Sequence, residues 1–368
     1  MKACVLPAAG AGAAQQVAGL AVAERTRRAL AHAGFTLVAP GSGPHGPHTL
    51  FVAGDAVVEP QALHALAEAA VAGSGSMSAE NPIESPAALL VPAGEPAEGA
   101  LESAEELGRL AARLQETGRL RLAATGGALC QRVQTQGDAL RLERRLLEAL
   151  VQPTDGFFAR HFDRRISSRL SPRLVRLGVR PNTITLFATG VGLAGAACLA
   201  TQSHALQILG ALLFVVSTIL DGCDGEVARL SFTSSAFGRR LDLLCDNVVN
   251  AAIFVAIGWN ALATDAGHGR SRLVWATLGG FALATAAGFA FSRWIERSGR
   301  KAELSDRYES LASRDFAYLV LLLAVIGRLP WFVWLAAVGS YAFVAMLTLI
   351  RLRAGRAPAT PLCEREST

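Results

Sequence analysis

This sequence lacks the residue patterns of zinc-binding or disulfide-rich proteins, and it also lacks those of nucleic-acid-binding proteins. Its six cysteines are scattered, with no CxxC pair and no histidine at metal-binding spacing. They therefore indicate neither a zinc site nor a disulfide framework, and we expect reduced thiols that pack inside the protein. No stretch combines arginine with aromatic residues in the manner of a base-reading surface, so we expect no nucleic-acid partner. Charged residues make up only 18% of the chain.

Apolar residues are abundant instead. They make up 51% of the 368 positions and give a mean hydropathy of +0.34. Residues 1–150 contain 12 Lys and Arg against 15 Asp and Glu, whereas residues 151–368 contain 23 against 15. Positive charge thus accompanies the more apolar part of the chain, which favours contact with anionic lipid headgroups over contact with nucleic acid.

Six apolar segments follow residue 180, each long enough or nearly long enough to cross a bilayer. They are residues 182–201, 204–221, 243–263, 272–292, 314–329 and 331–350. Arginine and lysine are concentrated before the first segment, in alternate loops and after the last segment. The positive-inside rule therefore predicts a multi-pass protein of the cell inner (cytoplasmic) membrane with both termini in the cytoplasm. The fifth segment is short and begins with Arg314 and Asp315.

Residues 151–180 are predicted to form an amphipathic helix in the cytoplasmic membrane interface. Arginines fill one face, and Pro172 is expected to kink or end the first part of the helix. A soluble linker helix is the alternative interpretation. The apolar stripe consists of Phe158, Phe162, Ile166, Leu170, Leu174 and Leu177.

Residues 1–150 alternate short β-like runs with helical runs. This order predicts a cytosolic α/β domain with a largely parallel sheet. Strands are expected in KACVLP, FTLVAPG, HTLFVAGDA and AALLVPA, and helices in AVAERTRRALAHAG, PQALHALAEAAVAG and SAEELGRLAARLQETG. The first of these strands explains the N-terminal residues better than a signal peptide does, because a cleaved signal would contradict the topology. The segment GSGSMSAENPIESP is expected to be a polar loop.

Four aspartates lie between the second and third apolar segments. Asp221 and Asp224 are three residues apart, and Asp242 and Asp246 are four apart, so on helices each pair projects from one face. Two facing helix ends could bring all four carboxylates together, and such a cluster repels itself unless cations are bound. Hard oxygen ligands suit Mg²⁺ or Mn²⁺. The spacing therefore predicts a two-metal site suited to phosphoryl transfer.

The aspartates belong to a longer pattern, Asp-x-x-Asp-Gly-x-x-Ala-Arg from residue 221, followed after eight residues by Gly-x-x-x-Asp-x-x-x-Asp. It resembles the signature of the CDP-alcohol phosphotransferases, over roughly residues 153–352. The resemblance implies a membrane domain of six transmembrane helices over 181–352, preceded by an interfacial helix and followed by a cytoplasmic tail over 353–368. It also implies transfer of a phospho-alcohol group from a CDP-alcohol to an acceptor hydroxyl, with release of CMP.

The resemblance assigns roles to individual residues. Two Mg²⁺ or Mn²⁺ ions would be held by Asp221, Asp224, Asp242 and Asp246. Asp246 would also act as general base towards the acceptor hydroxyl. The CDP group would be bound by Gly225, Ala228, Arg229 and Gly238, and by Thr185 and Asn182 in the segment RPNTIT. The cations available to an acceptor phosphate are Arg239, Arg240, Arg293, Arg297 and Arg314.

The N-terminal half and the junction QPTDGFFARHFDRRIS resemble the bifunctional inositol-1-phosphate cytidylyltransferase/di-inositol-phosphate-phosphate synthases. This implies a nucleotidyltransferase-like (Rossmann-like) domain over 1–150. After AGAG, however, AAQQVAGL lacks the expected basic residue, so a bound triphosphate would lack charge stabilisation. We therefore predict a degenerate domain. Asp55 stands where a metal-binding aspartate is expected, or it caps a turn.

The sequence does not identify which CDP-alcohol and which acceptor are the substrates. The donor is CDP-diacylglycerol or CDP-inositol, in phospholipid or inositol-phosphodiester synthesis, and a bifunctional enzyme would also make CDP-inositol from CTP and inositol phosphate. Membrane lipid is an expected partner, and a homodimer is compatible with the family. Functions of another class are a transporter or a membrane-anchored pseudoenzyme. A transporter predicts mid-span carboxylates and inverted repeats, a pseudoenzyme predicts a lost signature aspartate, and the sequence shows none of these features.

Overall fold

The computed structural model has a sheet-containing N-terminal region and a helical C-terminal region. The chain divides into two compact units. The first unit consists of Met1–Leu150, Ser168–Arg180 and Gly225–Ser234, and the second contains the rest of the described chain. The structure describes residues 1–8, 11–40, 48–72, 76–79, 86–92, 101–150, 162–263, 268–298 and 316–356.

The first unit contains strands and helices in alternation. Its strands are β1 (Lys2–Leu6), β2 (Gln16–Val17), β3 (Leu20–Ala21), β4 (Thr36–Val38), β5 (His48–Ala53), β6 (Ala56–Val58), β7 (Ser76–Ala79), β8 (Ala88–Pro92), β9 (Leu120–Ala123) and β10 (Cys130–Arg132). Its helices are the 3₁₀ turn Ala11–Ala14, α1 (Val22–His32), α2 (Pro60–Ala72), α3 (Ala104–Glu116) and α4 (Gln136–Ala149). Each strand and helix that we predicted in this half is present.

The main sheet has the order β4-β1-β5-β8-β7-β9. β1 is parallel to β4 and β5, and Lys2 lies opposite both Thr36 and Thr49. β8 is antiparallel to β5 and β7, so the sheet is mixed and less parallel than the sequence suggested. The prediction of a polar loop over 73–86 is wrong for Ser76–Ala79, which form β7 between β8 and β9. Small serine and alanine residues carry no strand periodicity, so only backbone pairing identifies this strand.

The remaining helices are α5 (Arg164–Arg176), α6 (Pro181–Leu199), α7 (His204–Leu230), α8 (Ala236–Ala263), α9 (His268–Ser298), α10 (Phe316–Val325) and α11 (Trp331–Arg356). Five segments are long and apolar enough to cross a membrane. They are Pro181–Leu199, His204–Leu230, Ala236–Ala263, Ser271–Ile295 and Trp331–Leu352. α10 matches the fifth predicted segment but spans only ten described residues, and Arg314 lies outside the described chain.

Helix α5 presents its apolar stripe outward. Ile166 on that stripe is 47% exposed and Leu177 just beyond the helix is also exposed, whereas Ser171 on another face is fully buried. An exposed apolar stripe on a helix is the pattern of a segment that lies against a membrane or a partner surface. The helix continues through Pro172 to Arg176, so the proline does not end it. Phe158 lies outside the described residues.

Candidate active site

Two long helices carry the four aspartates. Asp221 and Asp224 lie near the C-terminal end of α7, and Asp242 and Asp246 lie near the N-terminal end of α8. α8 begins where the hydroxyl of Ser235 accepts a hydrogen bond from the backbone N–H of Gly238 at 2.9 Å. This bond caps the helix and satisfies a donor that would otherwise be free.

Three of the four carboxylates converge. One oxygen from each of Asp221, Asp242 and Asp246 lies within 4.8 Å of the others. Oδ1 of Asp242 is buried and has no hydrogen-bond partner among the described residues. A buried carboxylate oxygen beside two other carboxylates is unfavourable unless a cation compensates the charge. The donor set consists only of carboxylate oxygens, which fits a hard divalent cation such as Mg²⁺ or Mn²⁺.

The fourth aspartate, Asp224, accepts a hydrogen bond from a threonine on another helix. Asp224 is buried outside the group of three, and the hydroxyl of Thr185 donates a hydrogen bond to its carboxylate. Thr185 is only 3% exposed and also contacts the carbonyl of Pro181 at 3.2 Å. The structure therefore brings together three of the predicted ligands, and it gives Thr185, a predicted CDP contact, a role in orienting Asp224.

Small residues leave space in the two parts of the predicted CDP site. A Cβ atom built at Gly238 on α8 would lie 3.2 Å from Oδ1 of Asn182, so a larger residue at 238 would press on Asn182. A Cβ atom at Gly225 would lie 3.7 Å from a guanidinium nitrogen of Arg229. Ala228 and Arg229 complete the last full turn of α7, with the Arg229 side chain exposed.

The predicted acceptor cations are dispersed along the chain. Arg239 and Arg240 are exposed at the start of α8. The guanidinium of Arg293 on α9 lies 4.3 Å from the centre of the Phe289 ring, which is a cation–π distance. The side chain of Arg297 and the whole of Arg314 lie outside the described residues.

Two cavities in the second unit include residues that sequence reasoning missed. A small cavity of about 30 Å³ is lined by Asp221 and Asp246 together with Ser217 and Asn250. A larger one of about 1420 Å³ is lined mostly by apolar residues of α8 to α11, with Arg240, Asn247 and Asn250 among its few polar residues. Asn250 follows Asp246 by four residues and therefore shares its helix face, which is the signal that could have identified it.

Asp55, the candidate metal ligand of the first unit, already has a cationic partner. Arg132 donates two parallel hydrogen bonds to its carboxylate, each 2.8 Å long. The backbone N–H of Val133 also donates to the carbonyl of Asp55 at 2.7 Å, and a Cβ atom at Gly12 would lie only 1.9 Å from the Val133 carbonyl oxygen. The chain itself therefore fills the space between the glycine-rich turn and Asp55, and this carboxylate does not fit a metal site.

The family model for CDP-alcohol phosphatidyltransferases matches residues 179–340. This range contains all the clustered aspartates. This part of the chain is therefore similar to a CDP-alcohol phosphatidyltransferase domain.

Curated relatives agree with this assignment. The chain is 39% identical over 140 residues to the bifunctional IPC transferase and DIPP synthase of Archaeoglobus fulgidus. The aligned region covers 38% of this chain and 27% of that protein. The chain is 32% identical over 233 residues to a protein of the same description from Rubrobacter xylanophilus, covering 62% of this chain and 50% of the relative. It is 32% identical over 123 residues to the phosphatidylinositol phosphate synthase of Mycobacteroides abscessus, covering 33% and 54%.

The chain therefore spans about a quarter to about half the length of these relatives. A solved structure of the Mycobacterium tuberculosis phosphatidylinositol phosphate synthase with CDP-DAG bound aligns with 50% of this chain and 92% of its own. The TM-score of this alignment is 0.33 and the sequence identity is 22%.

Proposed function

We propose that this protein transfers a phospho-alcohol group from a CDP-alcohol to an acceptor hydroxyl and releases CMP. The observation that carries the proposal is the convergence of Asp221, Asp242 and Asp246 inside the CDP-alcohol phosphatidyltransferase domain, with one buried Asp242 oxygen left unpaired. A site built only from carboxylates is suited to divalent cations and, through them, to phosphate chemistry.

The four aspartates have distinct proposed roles. Asp221, Asp224, Asp242 and Asp246 would hold two Mg²⁺ or Mn²⁺ ions, which when bound supply positive charge to phosphate oxygens and to the attacking hydroxyl. Asp246 accepts the proton of the acceptor hydroxyl. The hydroxyl oxygen then forms a bond to the β-phosphorus of the donor as the bond from that phosphorus to CMP breaks. Thr185 orients Asp224 through their hydrogen bond.

The CDP portion of the donor is proposed to contact the residues of the family pattern. Arg229 is exposed and can pair with a phosphate. Gly225, Ala228 and Gly238 leave room for close approach, and Asn182 lies beside Gly238. For the acceptor phosphate, the proposal rests on Arg239, Arg240 and Arg293.

A lipid donor such as CDP-diacylglycerol is favoured over soluble CDP-inositol by one observation. The cavity of about 1420 Å³ is lined by apolar residues such as Phe254 and Phe281, while Arg240 and Asn247 supply polar groups. A pocket of this character suits acyl chains attached to a polar head, whereas a soluble sugar nucleotide has no apolar part to bury. Relatives named for phosphatidylinositol phosphate synthesis suggest inositol phosphate as the acceptor.

The proposed membrane arrangement has six spans, with α10 belonging to the fifth predicted span. α5 would lie in the cytoplasmic interface with its exposed Ile166 stripe against lipid. The positive-inside rule supports a cytoplasmic active site in the inner membrane. A homodimer is compatible with this arrangement.

We further propose that the N-terminal domain is nucleotidyltransferase-like (Rossmann-like) but degenerate. The ion pair between Asp55 and Arg132 removes the carboxylate that a metal-bound nucleotide would need. The glycine-rich turn also lacks the basic residue that would stabilise a triphosphate. The alternative is the bifunctional enzyme suggested by the relatives' names, in which this domain makes CDP-inositol.

The decisive experiment measures CMP release by the full-length protein in detergent with Mg²⁺. CDP-diacylglycerol and CDP-inositol are each offered with inositol, inositol phosphate or glycerol phosphate. Asp246→Asn should abolish CMP release, whereas Asp138→Asn, the same change at the partly buried capping residue of α4 in the first unit, should leave it intact. CMP from the lipid donor supports the proposal, CMP only from CDP-inositol overturns the lipid assignment, and no CMP from any pair overturns the proposed reaction.

Addition of CTP and inositol phosphate tests the N-terminal domain separately. Pyrophosphate release in this reaction would support the bifunctional alternative and contradict a degenerate domain. We expect none, because the Asp55 carboxylate is already paired.

A further inference from the structure

The C-terminal end of α7 has an unusual cap. The N–H of Thr233 donates to the carbonyl of Ala228 at 2.9 Å, and the N–H of Phe232 donates to the carbonyl of Arg229 at 3.3 Å. These two bonds form a Schellman motif, in which one residue past the helix adopts a left-handed conformation. That residue is Phe232, with φ of +57°.

Glycine normally occupies this position because a side chain there is strained. The left-handed conformation is unfavourable for a non-glycine residue, so it persists only where surrounding contacts hold it. The Phe232 ring has such contacts with helix α1 of the same compact unit. The guanidinium of Arg25 lies 5.2 Å from the ring centre, and the ring of His32 lies 5.9 Å away.

Helix α1 also satisfies the carbonyls that the cap leaves free. Arg25 donates to the carbonyl of Leu230 at 3.0 Å, and Arg28 donates to the carbonyl of Ser231 at 3.4 Å. Cations at a helix C-terminus are favourable because the last carbonyls carry partial negative charge. Two arginines from one turn of α1 thus complete the end of α7.

Arg25 is buried to a degree that is rare for arginine. Its exposed fraction is 3%. Burial lowers the pKa of its guanidinium to about 10, against the opposing effect of the nearby carboxylates of Glu59 and Glu143, so it stays charged at neutral pH. A buried cation without its acceptors is costly, so we expect these contacts to be maintained in the folded protein.

We propose that Arg25 is a positioning residue for the CDP motif, and that the α1 surface of the N-terminal domain clamps the end of α7. This inference rests on the proposed function, because it takes Gly225, Ala228 and Arg229 as the donor-binding residues. The carbonyls of Ala228 and Arg229 are the acceptors of the cap, and Leu230 follows them directly. The cap held by Arg25 therefore determines how the motif is presented, which gives a domain without its own catalytic carboxylate a role in the reaction.

The test compares Arg25→Ala with Arg27→Ala in the full-length protein. Arg27 is the exposed arginine of the same helix and is the matched control. For each variant, the KM for the CDP donor, the kcat, and the Mg²⁺ concentration for half-maximal activity are measured by CMP release. Hydrogen–deuterium exchange of the segment 226–236 is measured on the same samples without substrate.

We expect Arg25→Ala to raise the donor KM and the exchange rate of 226–236 about tenfold or more, with kcat and the Mg²⁺ requirement within about threefold of wild type. Arg27→Ala should change none of these quantities. Arg25→Lys keeps a cation that can donate hydrogen bonds but loses the planar stacking on Phe232, so it should give intermediate values. This variant decides the question if Arg25→Ala does not fold.

An unchanged exchange rate in Arg25→Ala would overturn the clamp, and faster exchange with an unchanged donor KM would overturn its role in positioning the motif. If the wild-type protein releases no CMP from any donor, the proposed function fails. The exchange measurement still decides whether Arg25 holds the end of α7.

Discussion

The ion pair between Asp55 and Arg132 predicts that loss of the arginine will destabilise the N-terminal domain and increase its local opening. Asp55 is 4% exposed, and its two oxygens each accept a 2.8 Å hydrogen bond from Arg132. Replacing Arg132 by methionine would leave a buried carboxylate without its cation. Removing one partner of a buried pair typically costs about 3–5 kcal/mol. At about 1.36 kcal/mol per factor of ten, this corresponds to a rise in the opening equilibrium of roughly a hundredfold to a few thousandfold.

A buried thiol nearby can report this opening. Cys130 begins the same strand, β10, that ends at Arg132, and it is buried as a free thiol. Burial raises the pKa of its thiol to about 12, so labelling at neutral pH requires local or global opening. The assay is the rate at which a thiol reagent modifies Cys130 in the folded full-length protein, followed by mass spectrometry of its peptide.

The controls separate the ion pair from general destabilisation. Arg121→Met changes an exposed arginine on β9 and should leave the Cys130 labelling rate within about twofold. The double variant Asp55→Asn/Arg132→Met removes both charges and should recover much of the loss, because a neutral replacement of a buried pair is often tolerated. Labelling of Arg132→Met at the wild-type rate would refute the reasoning, since Asp55 would then not depend on this arginine.

Three other predictions concern single side chains. Asp242→Asn removes one of the clustered carboxylates and should lower CMP release roughly a hundredfold while raising the Mg²⁺ requirement, both measured by titration. Thr185→Val keeps the shape of the side chain but removes the hydroxyl that donates to Asp224, and it should lower kcat about tenfold. Hydrogen bonds from the backbone N–H and the hydroxyl of Thr135 lower the pKa of Asp138 to about 2. The stabilisation from this carboxylate is therefore present above the unfolded value of about 3.9 and is lost as the pH falls towards 2, so Asp138→Asn should reduce the acid sensitivity of hydrogen exchange in α4 over that range.

Each of these predictions has a clear contrary result. An unchanged Mg²⁺ requirement in Asp242→Asn would exclude that residue from the metal site. Wild-type kcat in Thr185→Val would show that Asp224 needs no orientation from the hydroxyl. Equal acid sensitivity of wild type and Asp138→Asn would show that the capping carboxylate does not contribute in this pH range.

Much of the architecture follows from local sequence. The strands β1, β4, β5 and β8 and the helices α1, α2 and α3 were all predicted from their periodicity and their flanking turns. Five of the predicted apolar segments correspond to the five candidate membrane-spanning helices of the structure. About twenty apolar residues in succession have few other stable arrangements. The spacing of the aspartates predicted a metal site, since three- and four-residue intervals place side chains on one face of a helix.

Other features could not be predicted from short stretches of sequence. β7 has no alternation of large apolar residues, and only its pairing with β8 and β9 makes it a strand. The sequence predicted a cluster of four aspartates, but it did not predict that Thr185, 39 residues before Asp224, donates a hydrogen bond to that carboxylate. A hydrogen-bond partner at such a distance depends on how two helices pack, and the periodicity of either helix says nothing about it.

The sequence by itself determined the apolar segments and the residues that could bind metal, because hydropathy and helical spacing are properties of short stretches of chain. Only the tertiary structure decided which groups pair with the buried charges of the N-terminal domain. Arg132 lies 77 residues from Asp55 and neutralises it, and Arg25 lies 205 residues from Leu230 and completes the end of α7. Both arginines look like ordinary helix or strand residues in the sequence. Their roles arise because folding buries each charge beside a hydrogen-bond acceptor that is distant in sequence.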